Sequence, residues 1–522
     1  MPYTSPSGSV EIPRQPLSEF VLGGAAARGS KPAFIDGPTG RTVTYAGLAS
    51  GVERVAAGLA ARGLGRGEVV GLLSPNLPEF PLAFHGIGRA GGVATTMNPV
   101  SPAGEIAHQL RDARARLLIT VPELLGKAKE AAAAAGVEEV FVIGEGDGAT
   151  PFAALLGAGG DAPDLSDLDP AGAPAALPYS SGTTGLPKGV MLTHRNLVAN
   201  VCQVEAVDTS TEADVFIGVL PFFHIYGMTI LVNLAAHRGA TVVTMPRFDL
   251  EGFLGLVQEH RITRAFLVPP IVLALAKHPL VDRFDLSSLR WIVSGAAPLG
   301  HDVAEACARR LGCVVKQGYG MTEASPVTHY CPDDVGWTKY GSTGPVVPGC
   351  EAKIVDVDTG DEVPPGGRGE LCVRGPNVMR GYLRNEAATR ETLDADGWLH
   401  TGDVVYADEH EDVYVVDRVK ELIKYKGYQV PPAELEALLV AHDAIDDAAV
   451  IPVPDAEAGE VPKAYVVVKQ GHALSADDVR AYVAARVAPY KRVREVAFVD
   501  EIPKSASGKI LRRVLVERDR AA

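Results

Sequence analysis

The sequence predicts an α/β fold: a large N-terminal domain of mixed β-sheets flanked by helices and ending in a small β-barrel-like subdomain, then a small α+β C-terminal domain. Three observations lead there. At 522 residues the chain exceeds what one ordinary hydrophobic core accommodates, so at least two domains are expected. Apolar residues over 41–120 alternate between helical and extended spacing, and the same rhythm returns between 215 and 293. After residue 350 the pattern turns strand-rich, with short runs separated by turns such as Pro364-Pro365-Gly366-Gly367.

Taken in order, residues 45–62 carry apolar positions at helical spacing and stop at Gly63, where a C-terminal glycine is favoured. Residues 69–73 read as a buried strand, 80–90 as a helix and 93–97 as extended. The Ala run at 131–135 reads as a helix surface, and the Gly/Ala/Pro/Asp-rich stretch 157–176 as a surface connection. Further extended runs fall at 215–220, 241–245, 264–268 and 291–293, then at 352–357, 370–373 and 412–416. Beyond them stand a helix over 433–442, strands over 447–453 and 463–469, and a helix over 476–487. The boundary is set at 417–420, which gives an N-terminal domain of 1–417, with 350–417 as its β-rich part, and a C-terminal domain of 418–522.

With 47% hydrophobic and 22% charged residues the composition is that of a soluble globular protein. A net charge of −15 disfavours nucleic acid and anionic membrane as partners. Any anionic substrate therefore needs a local positive island, and the lysines of 420–426 offer one. Six cysteines without a CxxC pair indicate neither a zinc site nor a disulfide framework, and a reducing cytoplasm fits them. No secretory leader, membrane span or peroxisomal terminus is read.

The most informative stretch is 179–189, Tyr-Ser-Ser-Gly-Thr-Thr-Gly-Leu-Pro-Lys-Gly. Its glycines let backbone approach an anion, the hydroxyls of Ser180, Ser181, Thr183 and Thr184 offer donors, and Lys188 adds a mobile positive charge. Composition alone favours a solvated linker, since Gly-rich polar stretches usually only connect elements. Its position between two apolar runs argues for a phosphate-gripping loop instead. It is not a Walker A loop, which requires Gly-Lys-Ser/Thr at its end.

Further blocks follow in order: Pro221-Phe222-Phe223-His224-Ile225-Tyr226-Gly227, Ser294-Gly295-Ala296-Ala297-Pro298-Leu299, Gln317-Gly318-Tyr319-Gly320-Met321-Thr322-Glu323, Gly397-Trp398-Leu399-His400-Thr401-Gly402-Asp403, Val416 to Gly427, and Ser507-Gly508-Lys509. With the loop they resemble the acyl-adenylate-forming superfamily of acyl-CoA ligases, peptide-synthetase adenylation domains and beetle luciferases. The wording is most similar to 4-coumarate:CoA ligases, above all in Val268-Pro269-Pro270-Ile271-Val272 and Lys424-Tyr425-Lys426-Gly427-Tyr428-Gln429-Val430.

The resemblance implies ATP-dependent activation of a carboxylic acid to acyl-AMP, with Mg²⁺, followed by transfer to coenzyme A. By the same resemblance Lys509 is the adenylation lysine and His224 a positioning residue near the carboxylate. Ser180, Ser181, Gly182, Thr183, Thr184 and Lys188 form the ATP loop. Thr322 binds the α-phosphate and Glu323 the Mg²⁺; Gln317, Gly318 and Tyr319 lie beside adenine or ribose, and Asp403 and Arg418 hold the ribose. The C-terminal domain is expected to be mobile about Lys420, bringing Lys424 to the adenylate. Lys426, Gly427 and Arg247 are expected at coenzyme A. Where the family carries an Asp-Gly turn before the hinge strand, this chain has Asp408-Glu409-His410-Glu411-Asp412, which implies a different turn.

By the same resemblance the acyl slot is lined by Tyr226, Ala296, Gly320, Pro326, Val327 and Tyr330. Small side chains at 296 and 320 leave a flat space for a planar ring, and Tyr226 and Tyr330 offer polar tips to a phenolic hydroxyl. The resulting expectation is a 4-coumarate–CoA ligase acting on a hydroxycinnamic acid, as a cytoplasmic monomer or homodimer. Alternatives are a medium-chain fatty acyl-CoA or other aryl-CoA ligase, a carrier-protein-loading acyl-AMP ligase, a luciferase-like oxidase and a non-catalytic nucleotide-binding protein.

Overall fold

The computed structural model describes residues 2–180, 187–334, 336, 339–426, 428–455, 457–505 and 508–521. Among them, four sheets organise the chain. The first sheet is built on parallel strands Val93–Thr96, Val69–Leu73, Ala115–Thr120 and Glu139–Val142. Its far edge ends in the antiparallel pair Tyr179–Ser180 and Lys188–Thr193. The second sheet runs Val327–Tyr330, Val314–Gly320, Trp291–Ser294, Arg264–Leu267, Val215–Gly218, Thr241–Thr244, Pro32–Asp36 and Thr42–Thr44. Its central strands are parallel and buried on both faces, hence their near-continuous Val/Ile/Phe runs. One large core joins these sheets through the helices Tyr45–Ala61 and Glu79–Arg89.

The third sheet is antiparallel: Glu351–Val355, Gly369–Arg374, Leu399–Ala407 and Val413–Arg418, with Tyr3–Thr4 added at one edge. The fourth gathers Tyr428–Val430, Ile423–Tyr425, Gly459–Val468, Ile445–Asp455 and Glu495–Phe498 over its own apolar cores. The changeover between these two sheets falls between Arg418 and Ile423.

Two local readings need correction, and the strand Tyr3–Thr4 was not anticipated, because two residues of sequence cannot signal one. The alanines of 131–135 are not all surface: Ala131 and Ala132 are buried in the core beneath the first sheet, because helix Leu125–Ala135 turns one face inward. The helix expected over 476–487 ends at Ala484. At 408–412 the residue in the left-handed region is Glu411, with φ +63°. The turn holds because Asp408 Oδ1 accepts from the backbone of His410 and Asp412, and Lys339 bridges Asp408 and Asp412.

Candidate active site

The hairpin Tyr179–Ser180/Lys188–Thr193 brings Ser180 opposite Lys188. Ser181, Gly182, Thr183 and Thr184 lie outside the described residues. The hairpin is anchored by the Tyr179 hydroxyl, which donates to Asp112 Oδ2 at 2.6 Å, and by ring packing over Gly189, where a Cβ would lie 3.1 Å from Tyr179 Cζ. Ser180 Oγ reaches across to Glu323 Oε1 at 2.9 Å, and the Tyr382 hydroxyl donates to the same oxygen at 2.8 Å. The Lys188 ammonium lies 4.8 Å from the Tyr382 ring centroid.

Glu323 is reached along strand Val314–Gly320, which delivers Gln317, Gly318, Tyr319 and Gly320 before the turn Thr322–Ala324. Gln317 Oε1 accepts from the Leu299 amide at 2.9 Å, so this side chain fixes the 294–299 loop. The Tyr319 hydroxyl donates to Asp403 Oδ2 at 2.5 Å, and Arg418 Nε lies 3.3 Å from Asp403 Oδ1. Asp403 and Arg418 face each other across adjacent strands, which sets this pair by register. Burial raises the Asp403 carboxyl, while Arg418, Tyr319 and Lys509 act against it.

Lys509 enters from the C-terminal domain. Ser505 and Lys509 close a tight turn through Ser505 N to Lys509 O at 2.8 Å and Lys509 N to Ser505 Oγ at 3.1 Å. Gly508 packs on Val268 at φ +76°, and a Cβ there would come within 3.2 Å of the valine. The Lys509 ammonium is lowered from its ordinary value by burial and by Arg418, against the pull of Asp403, Glu323 and Glu421. Lys509, Arg418, Asp403, Glu323 and Glu421 are therefore near enough to act on one another. His224 belongs with them: burial, then Lys509, push its imidazole down to about 3. Its Nδ1 accepts from the Tyr226 amide at 3.3 Å, which leaves the proton on Nε2 as a donor.

Three sequence-derived acyl-slot assignments change in kind. Tyr330 does not offer its hydroxyl to a slot: it donates to Asp208 Oδ2 at 2.8 Å inside a buried charge network. There Arg264 pairs with Asp208 at 3.0 Å and Asp333 at 2.9 Å, and Lys316 pairs with Asp333 while its ammonium lies 4.1 Å from the Tyr330 ring. Burial pushes the Asp333 carboxyl up, yet Lys316 and Arg264 hold it down to about 2. Gly320 leaves no free space either, because the Pro326 carbonyl oxygen occupies it, 2.1 Å from where a Cβ would be. Tyr226 also spends its hydroxyl internally, on Val293 O at 3.2 Å, and its ring packs over Gly295. Ala296 stands in the left-handed region with φ +71°.

Pro326 and Val327 are held in place by residues that sequence reasoning missed. Asn200 brackets Val327, accepting from its amide at 3.0 Å and donating to its carbonyl at 2.7 Å, and Asn377 donates to the same carbonyl at 3.0 Å. Asn76 fixes the aromatic turn before His224 by donating to Gly218 O and Leu220 O, both at 2.7 Å, and accepting from Phe222 N at 2.8 Å. Arg247, Lys420, Lys424 and Lys426 are all exposed and outside the buried cluster, and Gly427 lies outside the described residues. Lys426 sits at φ +46°, with its ammonium 3.9 Å from Glu457. Glu370, Cys372 and His400 also converge, but burial pushes the Cys372 thiol up to about 12. Glu370 is engaged by His400 Nδ1 at 3.0 Å and Gly402 N at 2.9 Å, a brace for the turn that carries Asp403.

Comparison with known proteins fixes the family. The model of the AMP-binding enzyme matches residues 24–383, and that of the AMP-binding enzyme C-terminal domain matches 434–509. The chain belongs to the AMP-binding enzyme family. Among its relatives, 4-coumarate–CoA ligase 5 of Oryza sativa subsp. japonica is 45% identical over 514 residues, covering 96% of this chain and 94% of that protein. In structure this AMP-binding enzyme is similar to ATP-bound MatB from Rhodopseudomonas palustris, with a TM-score of 0.86 and 30% identity over 96% of this chain and 98% of that one. It is similar also to the anthranilate CoA ligase AuaEII in complex with anthranoyl-AMP, with a TM-score of 0.89 and 28% identity over 98% of both chains. Among the described residues no helix is long and apolar enough to cross a membrane.

Because its hydroxyl is committed to a buried aspartate, Tyr330→Phe is expected to lower stability by about 1–3 kcal/mol. The preference for 4-coumarate over cinnamate should not change. Denaturant unfolding together with paired kcat/KM values checks both.

Proposed function

We propose that the protein is a 4-coumarate–CoA ligase. The observation that carries the reaction class is the meeting of Lys509, His224, Glu323, Asp403 and Arg418 in one cleft at the foot of the Ser180–Lys188 hairpin. The choice of a hydroxycinnamic acid rests on similarity to 4-coumarate–CoA ligases along 96% of the chain.

In the first half-reaction a carboxylate oxygen attacks the α-phosphorus of ATP, the bond to the bridging oxygen breaks, and pyrophosphate leaves. In the second, the thiol sulfur of coenzyme A attacks the acyl carbon, the carbon–oxygen bond to AMP breaks, and the thiol proton passes to solvent. The chain's part in the first step is placement and charge. The Nε2–H of neutral His224 donates to the acid's carboxylate, Lys509 balances charge arising on the bridging oxygen, and Asp403 with Arg418 fixes the ribose. Lys188 and the hairpin take the outer phosphates, and Thr322 the α-phosphate. Glu323 suits Mg²⁺, as a buried carboxylate already oriented by two hydroxyl donors on Oε1. When bound there, Mg²⁺ neutralises charge as pyrophosphate departs. The exposed Lys420, Lys424, Lys426 and Arg247 belong to the second step, with Lys420 as the hinge and coenzyme A phosphates as the partner of the others. Cytoplasmic action on free small molecules, by a monomer or homodimer, completes the reading.

The test is thioester formation with ATP, Mg²⁺ and coenzyme A across 4-coumarate, caffeate, cinnamate, benzoate, octanoate and acetate. Highest kcat/KM for the hydroxycinnamates is expected. Preference for octanoate would overturn the substrate class, and pyrophosphate release without thioester would point to a carrier protein as acceptor.

With its imidazole held near 3, His224 is neutral across the physiological range and needs no proton to act. The pH–rate profile of pyrophosphate release should therefore keep one shape between about pH 5.5 and 8 in the protein and in His224→Gln, with only its height lowered. A limb near pH 6.5 that vanishes in the variant would contradict this.

A further inference from the structure

Tyr382 belongs to none of the sequence blocks, yet two charged groups of the site, Glu323 and Lys188, meet on it. Its hydroxyl and Ser180 Oγ both donate to Glu323 Oε1, which leaves Oε2 for a cation. Its ring face carries the Lys188 ammonium. The side chain is buried, 6% exposed, and its backbone is clamped from several directions. Strand Gly381–Tyr382 pairs with Val190 and Met191 of the hairpin, and Tyr382 N donates to Thr389 Oγ1 at 2.9 Å. The flanking Met379 N donates to Glu323 O at 2.8 Å, and Leu383 N to Gly189 O at 2.8 Å. One short segment thus ties the backbone of the hairpin to the backbone of Glu323, and one side chain at its centre repeats the tie.

We propose that Tyr382 is a positioning residue for the triphosphate end of ATP. Its hydroxyl presents Glu323 to the divalent cation, and its ring holds Lys188 ready for the outer phosphates. This rests on the adenylation reading above. A donor held on one oxygen of a carboxylate fixes the plane of the group and hence the direction of the other oxygen, as outer partners of metal ligands do. The ring face attracts the ammonium without neutralising it, so phosphate oxygens compete for it at little cost.

The experiment compares the full chain with Tyr382→Phe, which keeps the ring, and Tyr382→Leu, which removes it. Mn²⁺ is titrated by EPR into each protein saturated with α,β-methylene ATP, and analogue affinity is measured separately at saturating Mn²⁺. Tyr382→Phe should weaken Mn²⁺ binding about tenfold or more with analogue affinity retained. Tyr382→Leu should weaken both. Conversion of preformed acyl-AMP and coenzyme A to thioester should be unchanged in both variants. Superimposable Mn²⁺ titrations of the protein and Tyr382→Phe would overturn the proposal. So would equal loss of the two half-reactions, which is the mark of a merely structural tyrosine. If the unsubstituted protein releases no pyrophosphate with any acid, it is the adenylation reading that fails; the Mn²⁺ titration addresses Tyr382 alone.

Discussion

Lys509→Ala is expected to cut pyrophosphate release by about a hundred- to a thousandfold while sparing thioester formation from preformed acyl-AMP. The lysine is the cation that the C-terminal domain adds to the site, its backbone bonded to Ser505. Burial and Arg418 lower its ammonium from the ordinary value, against the pull of Asp403, Glu323 and Glu421. Such a group does most when new negative charge arrives beside it, which is the situation as the bridging oxygen of ATP becomes a leaving group. Lys509→Arg should not restore the rate, because a planar fork cannot replace a point charge on a flexible stem. Separate assays of the two half-reactions decide the matter: comparable loss in both would remove the lysine from the first step.

Gly320→Ala is expected to abolish both half-reactions and to lower stability by about 3 kcal/mol or more. A Cβ at this position would lie 2.1 Å from Pro326 O, 2.7 Å from its carbonyl carbon and 3.1 Å from Val327 Cα. These are backbone atoms, so no side-chain rotation relieves the clash. Pro326 O also accepts from the Met321 amide at 3.0 Å, and Val327 is bracketed by Asn200 and Asn377. The segment can therefore yield only by breaking those bonds and moving the slot wall. Thermal unfolding with the two half-reaction assays tests this; near-normal turnover in the variant would show that the wall adapts.

How far the sequence reached follows from the kind of signal each feature leaves. Strand Val69–Leu73 was legible to the residue, because a buried parallel strand is an unbroken apolar run between turns. Ser180, Glu323, Asp403, Arg418 and Lys509 stand in recognisable blocks, and the structure brings them into one cleft. Asn76, Asn200, Asn377 and Tyr382 were invisible. Each is a single polar group whose partner is 50 or more residues away in the chain, and no local period reports such a bond. Tyr330 was misjudged for a related reason: the order of residues places it next to the slot, but only the partner Asp208 reveals where its hydroxyl goes.

The network around Tyr330 bears on any attempt to retune the acid that this scaffold accepts. Arg264, Lys316, Asp208 and Asp333 are each at most 2% exposed at the side chain, and every one leans on at least one of the others. Removing a single member strands a charge in a medium that cannot solvate it, whereas exchanging the set for apolar residues of like volume can cost little. Library positions there are therefore coupled, with strongly non-additive effects. A single-site scan would score the region as immutable, and only simultaneous replacement of the block with Tyr330 would open the wall behind the slot to redesign.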